Sequence, residues 1–170
     1  MPEAETEQGS GLVREVENLV ERTEVRDIRL QKVAGEVFRT PPSEMTVSLQ
    51  RDEPKYVIED GVVLALFTNT IQYAATDPTD QATETPIARL TATHIVELTL
   101  AEGDQPSPEA VSLLLNGNVL FMVYPYVRSA LHRLPTELGL PSILLPYLRR
   151  EMGAAPNDET ISARSDADGV

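Results

Sequence analysis

The chain has 170 residues, a formal net charge of −13, 41% apolar residues and no cysteine. This length and apolar content suit one domain with an aliphatic core, and the lack of cysteine excludes disulfides and thiolate metal sites, as is typical of a reducing cytoplasm. The acidic charge disfavours nucleic-acid binding, and no apolar run reaches the roughly 20 residues that a membrane span needs.

The two ends of the chain are polar and acidic, and we expect residues 1–10 and 153–170 to be disordered tails around one domain at 11–152. The domain begins with "GLVREVENLVER", residues 11–22, whose apolar residues repeat at helical spacing. This repeat predicts a short amphipathic N-terminal helix. Its apolar positions are Leu12, Val16, Leu19 and Val20.

Four stretches with a period of two follow this helix and predict four strands. Gly35 marks a bulge in the first strand, and Asp60-Gly61 is a hairpin signal before the third. The last two strands each carry one apolar face, which is typical of an antiparallel sheet with one solvent-exposed face. The predicted strands cover residues 25–38, 45–49, 62–75 and 87–100.

Helical signals close the domain. Ser107 and Pro108 predict a helix start, Asn116-Gly117 predicts its end, and Asn118 can cap a second, long helix. Strands first and helices last indicate an α+β fold. We expect a four-stranded antiparallel sheet with a long C-terminal helix and a short second helix on one face.

The long helix is apolar on two adjacent sides. One stripe can cover the sheet, whereas the second needs another partner, and a second copy in an isologous interface is the simplest one. A further layer of helices from the same chain is the alternative. The predicted oligomer interface comprises Val119, Val123, Tyr124, Val127 and Ala130.

The residues of this region also carry a family resemblance. "NVLFMVYPYVRSALHRL" (118–134) and the following "LGLPSILLPYL" (138–148) resemble the C-terminal half of the SecB family of export chaperones. "RTEVRDIRLQKVAGEV" (22–37) is similar to the first strand of the actinobacterial SecB-like branch. The resemblance covers about residues 22–150.

This resemblance implies a homotetramer, built as a dimer of dimers, that holds unfolded clients in apolar grooves without an ATP site or other cofactor. The family's tyrosine after proline falls on Tyr126, and its crossover loop falls on Pro141–Pro146. Some members of the branch work beside a toxin–antitoxin pair, which makes an antitoxin a further expected partner. The C-terminal tail does not resemble the one that engages the SecA motor, the other partner that the family implies.

The predicted function is therefore an ATP-independent holdase, used for export or for controlling a toxin–antitoxin system, and not an enzyme. A small-molecule binder or enzyme on the concave sheet face is the alternative function, a structural assembly protein is a third, and residues 141–148 can instead be a core-packing crossover. His94 is expected to be a satisfied core or groove residue and His132 a solvated one. The predicted client-binding residues on the sheet are Phe67 and Tyr73, which are expected on its exposed side. The other predicted client-binding residues are Tyr126, Ile143, Leu144, Leu145, Tyr147, Leu148 and Met152.

Overall fold

The computed structural model describes residues 3–76, 84–145, 148 and 159–164. Within these residues three α-helices and six strands are present. In chain order they are α1 (Glu3–Arg22), β1 (Glu24–Val37), β2 (Glu44–Arg51), β3 (Lys55–Glu59), β4 (Val62–Thr76), β5 (Glu84–Thr99), α2 (Pro108–Leu114), α3 (Leu120–Glu137) and β6 (Glu159–Arg164).

The strands form one sheet with the order β1-β5-β4-β2-β6, and β3 pairs with β4 beside this path. β2 runs antiparallel to both β4 and β6, and β3 runs antiparallel to β4. Asp60 and Gly61, with φ of 50° and 74°, form the turn between β3 and β4. Two successive residues at positive φ match the right-handed twist of a hairpin, so the Asp-Gly hairpin prediction is confirmed.

The α+β class is confirmed, with its antiparallel sheet, N-terminal helix and long C-terminal helix. The structure contains two strands, β3 and β6, in addition to the four expected ones. The sequence did not predict them because both are short and neither carries a strong alternating pattern. Residues 3–10 lie in α1, and 159–164 form β6, where composition predicts disordered tails. The expected short helix after the crossover loop lies outside the described residues, apart from Leu148.

The expected break between the last two helices is absent. A five-residue π-helical turn, Leu115–Val119, joins α2 directly to α3. The Asn116 side-chain amide donates to the Ser112 carbonyl over 3.1 Å, so it supports the preceding turn instead of ending it. The prediction of a C-cap at Asn116-Gly117 is therefore wrong, since a widened turn accommodates both residues inside the helical run.

The same helical run is long and apolar enough, by length and composition alone, to cross a membrane. Its bounds for this purpose are Pro108–Glu137. However, 44% of its most apolar stretch is buried inside the protein, and the core helix of a soluble protein passes the same test. The run ends at Glu137, and the turn after it contains Gly139, whose φ of 71° is left-handed. The Leu140 N–H donates to the Pro135 carbonyl over 2.9 Å.

The chain forms two compact units. Unit 1 comprises Met1–Arg29, Glu53–Phe67 and His94–Tyr124, and unit 2 comprises Leu30–Asp52, Thr68–Thr93 and Pro125–Val170. In unit 1, the Glu15 carboxylate on α1 accepts hydrogen bonds from the Ser107 N–H (2.7 Å) and hydroxyl (2.9 Å). This contact ties α1 to the start of α2, where the Ser107 hydroxyl also caps the helix.

The core follows the alternation of β4 and β5. The odd-numbered residues of β4 and the even-numbered residues of β5 form a buried face, and most residues of the opposite face are half-buried. Alternation is what places these residues together, because successive strand side chains point to opposite faces. The buried residues of this face are Val63, Ala65, Phe67, Ile71 and Tyr73 on β4, and Ala88, Leu90, Ala92, Val96 and Leu98 on β5.

Candidate functional site

Residues 138–145, the crossover segment, are anchored in unit 2 by hydrogen bonds to its backbone. The Tyr73 hydroxyl on β4 donates to the Pro141 carbonyl over 2.9 Å. His132 on α3 holds the other end, with Nδ1 3.1 Å from the Ile143 carbonyl and 3.3 Å from the Ser142 hydroxyl. Burial raises the pKa of Tyr73, so its hydroxyl stays protonated as a donor.

The anchored segment alternates between buried and exposed side chains. Ile143 and Leu145 are buried, whereas Leu144 between them is 70% exposed. Leu148 is half-buried, and Tyr147 and Met152 lie outside the described residues. The segment therefore contributes to the core through two leucine-sized side chains and presents a third to solvent.

β1 comes close to this segment at Gly35. A Cβ atom at Gly35 would overlap the Leu138 side chain and lie 3.2 Å from Leu90. Gly35 thus permits a close approach of β1 to the beginning of the crossover segment. By strand alternation Val33 and Val37 share the face of Gly35, yet they remain 46% and 40% exposed.

Unit 2 consequently presents several large apolar side chains to solvent, which we call the unit 2 apolar residues. The sequence predicted two of them, Tyr126 and Leu144, as client-binding residues. It did not predict the apolar residues on β1 or directly after its end. The missed signal is a strand with apolar positions on both faces, in a sequence otherwise rich in charge. The set comprises Leu30, Val33, Val37, Phe38, Tyr126 and Leu144.

Two predicted client-binding residues occupy a different place from the one expected. Phe67 and Tyr73 were expected on the exposed face of the sheet, but they are 2% and 0% exposed. Both lie on the buried face of β4, so the face that was expected to be exposed is the covered one. Tyr73 contacts the crossover segment through its hydroxyl.

The predicted interface residues on α3 and the π-helical turn are covered by their own chain. Val119, Val123, Tyr124 and Val127 are buried, and Ala130 is half-buried. This differs from the expectation that the second apolar stripe lacks an intramolecular partner. The large apolar side chains that α3 leaves accessible are Met122 (48% exposed) and Tyr126 (50% exposed).

The half-buried sheet face in unit 2 carries threonines that satisfy one another. Thr68 pairs with Thr93 through hydroxyls 3.1 Å apart, and Thr70 pairs with Thr91 at 3.2 Å. Among the described residues, no group of three or more His, Asp or Glu side chains is arranged to hold a metal ion. The acidic loop between β4 and β5 lies largely outside those residues.

Each histidine has one feature that the sequence did not predict. His94 is 2% exposed, and its Nδ1 has no hydrogen-bond partner, so it is a buried residue but not a satisfied one. Burial lowers the pKa of His94, because the charged imidazolium is disfavoured away from water. His132 is exposed as expected, but it also contacts the crossover segment as described above.

Comparison with known proteins finds relatives at low identity and a clear structural likeness. No family model matches the chain. The SecB-like chaperones Rv1957 and MT2006, from Mycobacterium tuberculosis strains H37Rv and CDC 1551, are each 25% identical over 160 residues, which is 86% of this chain and 88% of theirs. A solved structure of the Mycobacterium tuberculosis Rv1957 SecB-like chaperone, in complex with a ChAD peptide from the Rv1956 HigA1 antitoxin, has the same fold. It superposes with a TM-score of 0.69 at 22% identity, covering 82% of this chain and 99% of that one.

Proposed function

Since the chain is SecB-like in both sequence and fold, we propose that it is an ATP-independent holdase that binds unfolded or non-native polypeptides. The observation that carries this proposal is the set of unit 2 apolar residues, above all Leu144, which is 70% exposed on a segment held in place on both sides. The related SecB-like chaperones, matched over 86% of this chain and 88% of theirs, support the predicted chaperone function.

The proposed binding rests on apolar burial. Each large apolar side chain removed from water contributes roughly 1.5–3 kcal/mol, and this contribution is largely independent of the client sequence. Anchoring by Tyr73 and His132 fixes the backbone of the crossover segment before a client arrives, which lowers the entropy cost of binding. The high negative charge keeps such a surface soluble between clients.

We further propose that the clients include an antitoxin. The related mycobacterial chaperone is solved with a peptide from an antitoxin, and this chain shares its fold. A pulldown from the native cell extract separates the two physiological roles. Enrichment of an antitoxin supports toxin–antitoxin control, whereas enrichment of secretory precursors together with the SecA motor supports export.

Aggregation assays test the holdase function directly. We expect the purified protein to suppress aggregation of a denatured test protein without nucleotide. Leu144→Ser combined with Tyr126→Ser removes two exposed unit 2 side chains and should weaken this suppression while leaving the fold intact. Leu113→Ser is the matched control, because Leu113 on α2 is 49% exposed but lies in unit 1.

Two results would count against the proposal. One is a wild-type protein that does not delay aggregation at any ratio to the test protein. The other is equal activity of the control and the double variant, which would move the client-binding surface away from Leu144 and Tyr126.

The proposed assembly is a cytoplasmic homotetramer arranged as a dimer of dimers. β1 is the terminal strand of the sheet, and its apolar side chains are largely exposed, including Val25 at 38% and Leu30 at 48%. A long exposed edge strand of this kind favours pairing with another strand. The interface assigned to Val119, Val123, Tyr124, Val127 and Ala130 stays a prediction, with Met122 and Tyr126 as the accessible positions on the same helix.

A further inference from the structure

β6 pairs with β2 along the side of β2 that faces away from β4. Six residues of β6, Glu159–Arg164, run antiparallel to Glu44–Leu49. Without β6, this side of β2 would present a row of backbone N–H and C=O groups in unit 2. Such an edge is a template for any extended polypeptide, because main-chain hydrogen bonds do not depend on sequence.

The β2 edge is built to accept a strand with alternating apolar residues. Met45, Val47 and Leu49 are 8%, 0% and 1% exposed and lie on the core face. Thr46 and Ser48 lie on the other face and are half-buried. The strand that pairs most favourably with this edge would therefore have apolar residues at three alternate positions and polar residues between them.

β6 matches this pattern at only one of the three core-face positions. Ile161 stands opposite Val47, but Glu159 stands opposite Leu49 and Ala163 stands opposite Met45. A charged residue and a small one occupy register positions where large apolar residues are favoured. β6 thus pairs with the β2 edge while placing only one large apolar residue at these three register positions.

We propose that the β2 edge is a docking site for extended client segments, and that β6 occupies this site within the same chain until a client with better apolar alternation displaces it. The proposal rests on the holdase function proposed above and names the backbone edge that clients use. Because β6 belongs to the same chain, it competes at a high effective concentration. Weakly matched extended segments are thereby excluded, while strongly apolar ones bind.

Two variants of the whole chain test this docking proposal, and they should change the client Kd in opposite directions. Ile161→Pro removes a backbone donor and the one large apolar residue that β6 places at these register positions, and should free the edge. Glu159→Val together with Ala163→Val completes the apolar alternation of β6, and should hold the edge closed. The matched controls are Ala167→Pro, beyond the strand, and Thr160→Val with Ser162→Val, which changes β6 on its other face.

The measurement is the Kd for reduced, carboxymethylated α-lactalbumin, which is permanently unfolded, with circular dichroism to check each fold. If β6 occupies the edge about nine-tenths of the time, Ile161→Pro should lower the Kd about tenfold. The Glu159→Val/Ala163→Val variant should raise the Kd, and both controls should stay within about twofold of wild type. Hydrogen exchange of the β2 amides should quicken in Ile161→Pro without client and slow again when client is added.

The outcomes separate this inference from the holdase function. If all variants bind the client equally, the docking proposal is wrong and the holdase function stands. Weaker binding by Ile161→Pro would show that clients pair with the outer side of β6 instead, which also overturns it. If neither wild type nor any variant binds, the holdase function fails and the docking proposal fails with it. Should Ile161→Pro not fold, the Glu159→Val/Ala163→Val pair decides, since only the proposal requires it to raise the Kd.

Discussion

Replacing Tyr73 with Phe tests how the crossover segment is held. The Tyr73 side chain is 0% exposed, and its hydroxyl donates to the Pro141 carbonyl over 2.9 Å. Tyr73→Phe keeps the ring and removes only this donor. A net hydrogen bond contributes about 1 kcal/mol, and Pro141 is half-buried, so water can reach part of the carbonyl that is left.

We therefore expect Tyr73→Phe to lower the free energy of unfolding by about 1 kcal/mol at pH 7, which corresponds to a fall in Tm of about 2–4 °C for a chain of this size. Tyr56→Phe is the matched control. Its hydroxyl donates to the Pro108 carbonyl at a longer distance, 3.3 Å, in an exposed setting. An exposed hydrogen bond exchanges readily with water, so this variant should differ little from wild type.

The pH dependence gives a second, independent check. Burial raises the folded-state pKa of Tyr73 above its unfolded value near 10. The stability that depends on the protonated hydroxyl is fully present below pH 10 and is lost as the pH rises beyond it, because the unfolded chain ionises first. This loss is at most about 1.4 kcal/mol per pH unit. The difference in the free energy of unfolding between wild type and Tyr73→Phe should therefore shrink from pH 8 to pH 11.

Urea unfolding followed by circular dichroism at pH 8, 10 and 11 measures both effects, and the difference between the two proteins cancels the titration of the other tyrosines. Equal stability of wild type and Tyr73→Phe at pH 8 would refute the anchoring of the crossover segment by this hydrogen bond. A difference that stays constant to pH 11 would refute the burial of the hydroxyl.

Three further predictions concern the core, the close approach at Gly35 and the assembly. Because burial lowers the folded-state pKa of His94, the free energy of unfolding of the wild type should fall as the pH drops below 6.5. In urea titrations, the His94→Gln variant should lose less of its free energy of unfolding between pH 8 and pH 5 than the wild type does. Gly35→Val should lower the free energy of unfolding by about 1–3 kcal/mol, because the new side chain overpacks against Leu138, and Leu138→Ala in the same chain should recover part of this loss. If the effects of the two substitutions on the free energy of unfolding simply add, the contact between residues 35 and 138 is contradicted. Light scattering after size exclusion should give about four times the 18.7 kDa chain mass, and Val33→Glu on β1 should reduce it; a wild-type monomer at micromolar concentration excludes the tetramer.

The sequence by itself determined the class of fold and most of the core. Alternation along β5 identified its buried face, because residues two apart in a strand share a side regardless of what covers it. Alternation along β4 grouped Phe67 with Tyr73 on one face correctly, but that face was expected to be exposed and is buried. The Asp60-Gly61 turn was also readable, since few residues tolerate positive φ at two successive positions. The residues of 118–148 carried the resemblance to SecB-like proteins, which the comparisons support.

The tertiary structure alone decided which side of each element faces solvent and which segments find partners. Val119 and Val123 look like part of a second apolar stripe without a partner in the sequence, but the folded chain buries them, because burial depends on elements distant in sequence. Ile143 and Leu145 are buried while Leu144 is exposed, on a segment whose backbone accepts hydrogen bonds from Tyr73 and His132. β6 has too few apolar residues to signal a strand, and it forms one because the β2 edge supplies backbone partners that composition cannot reveal.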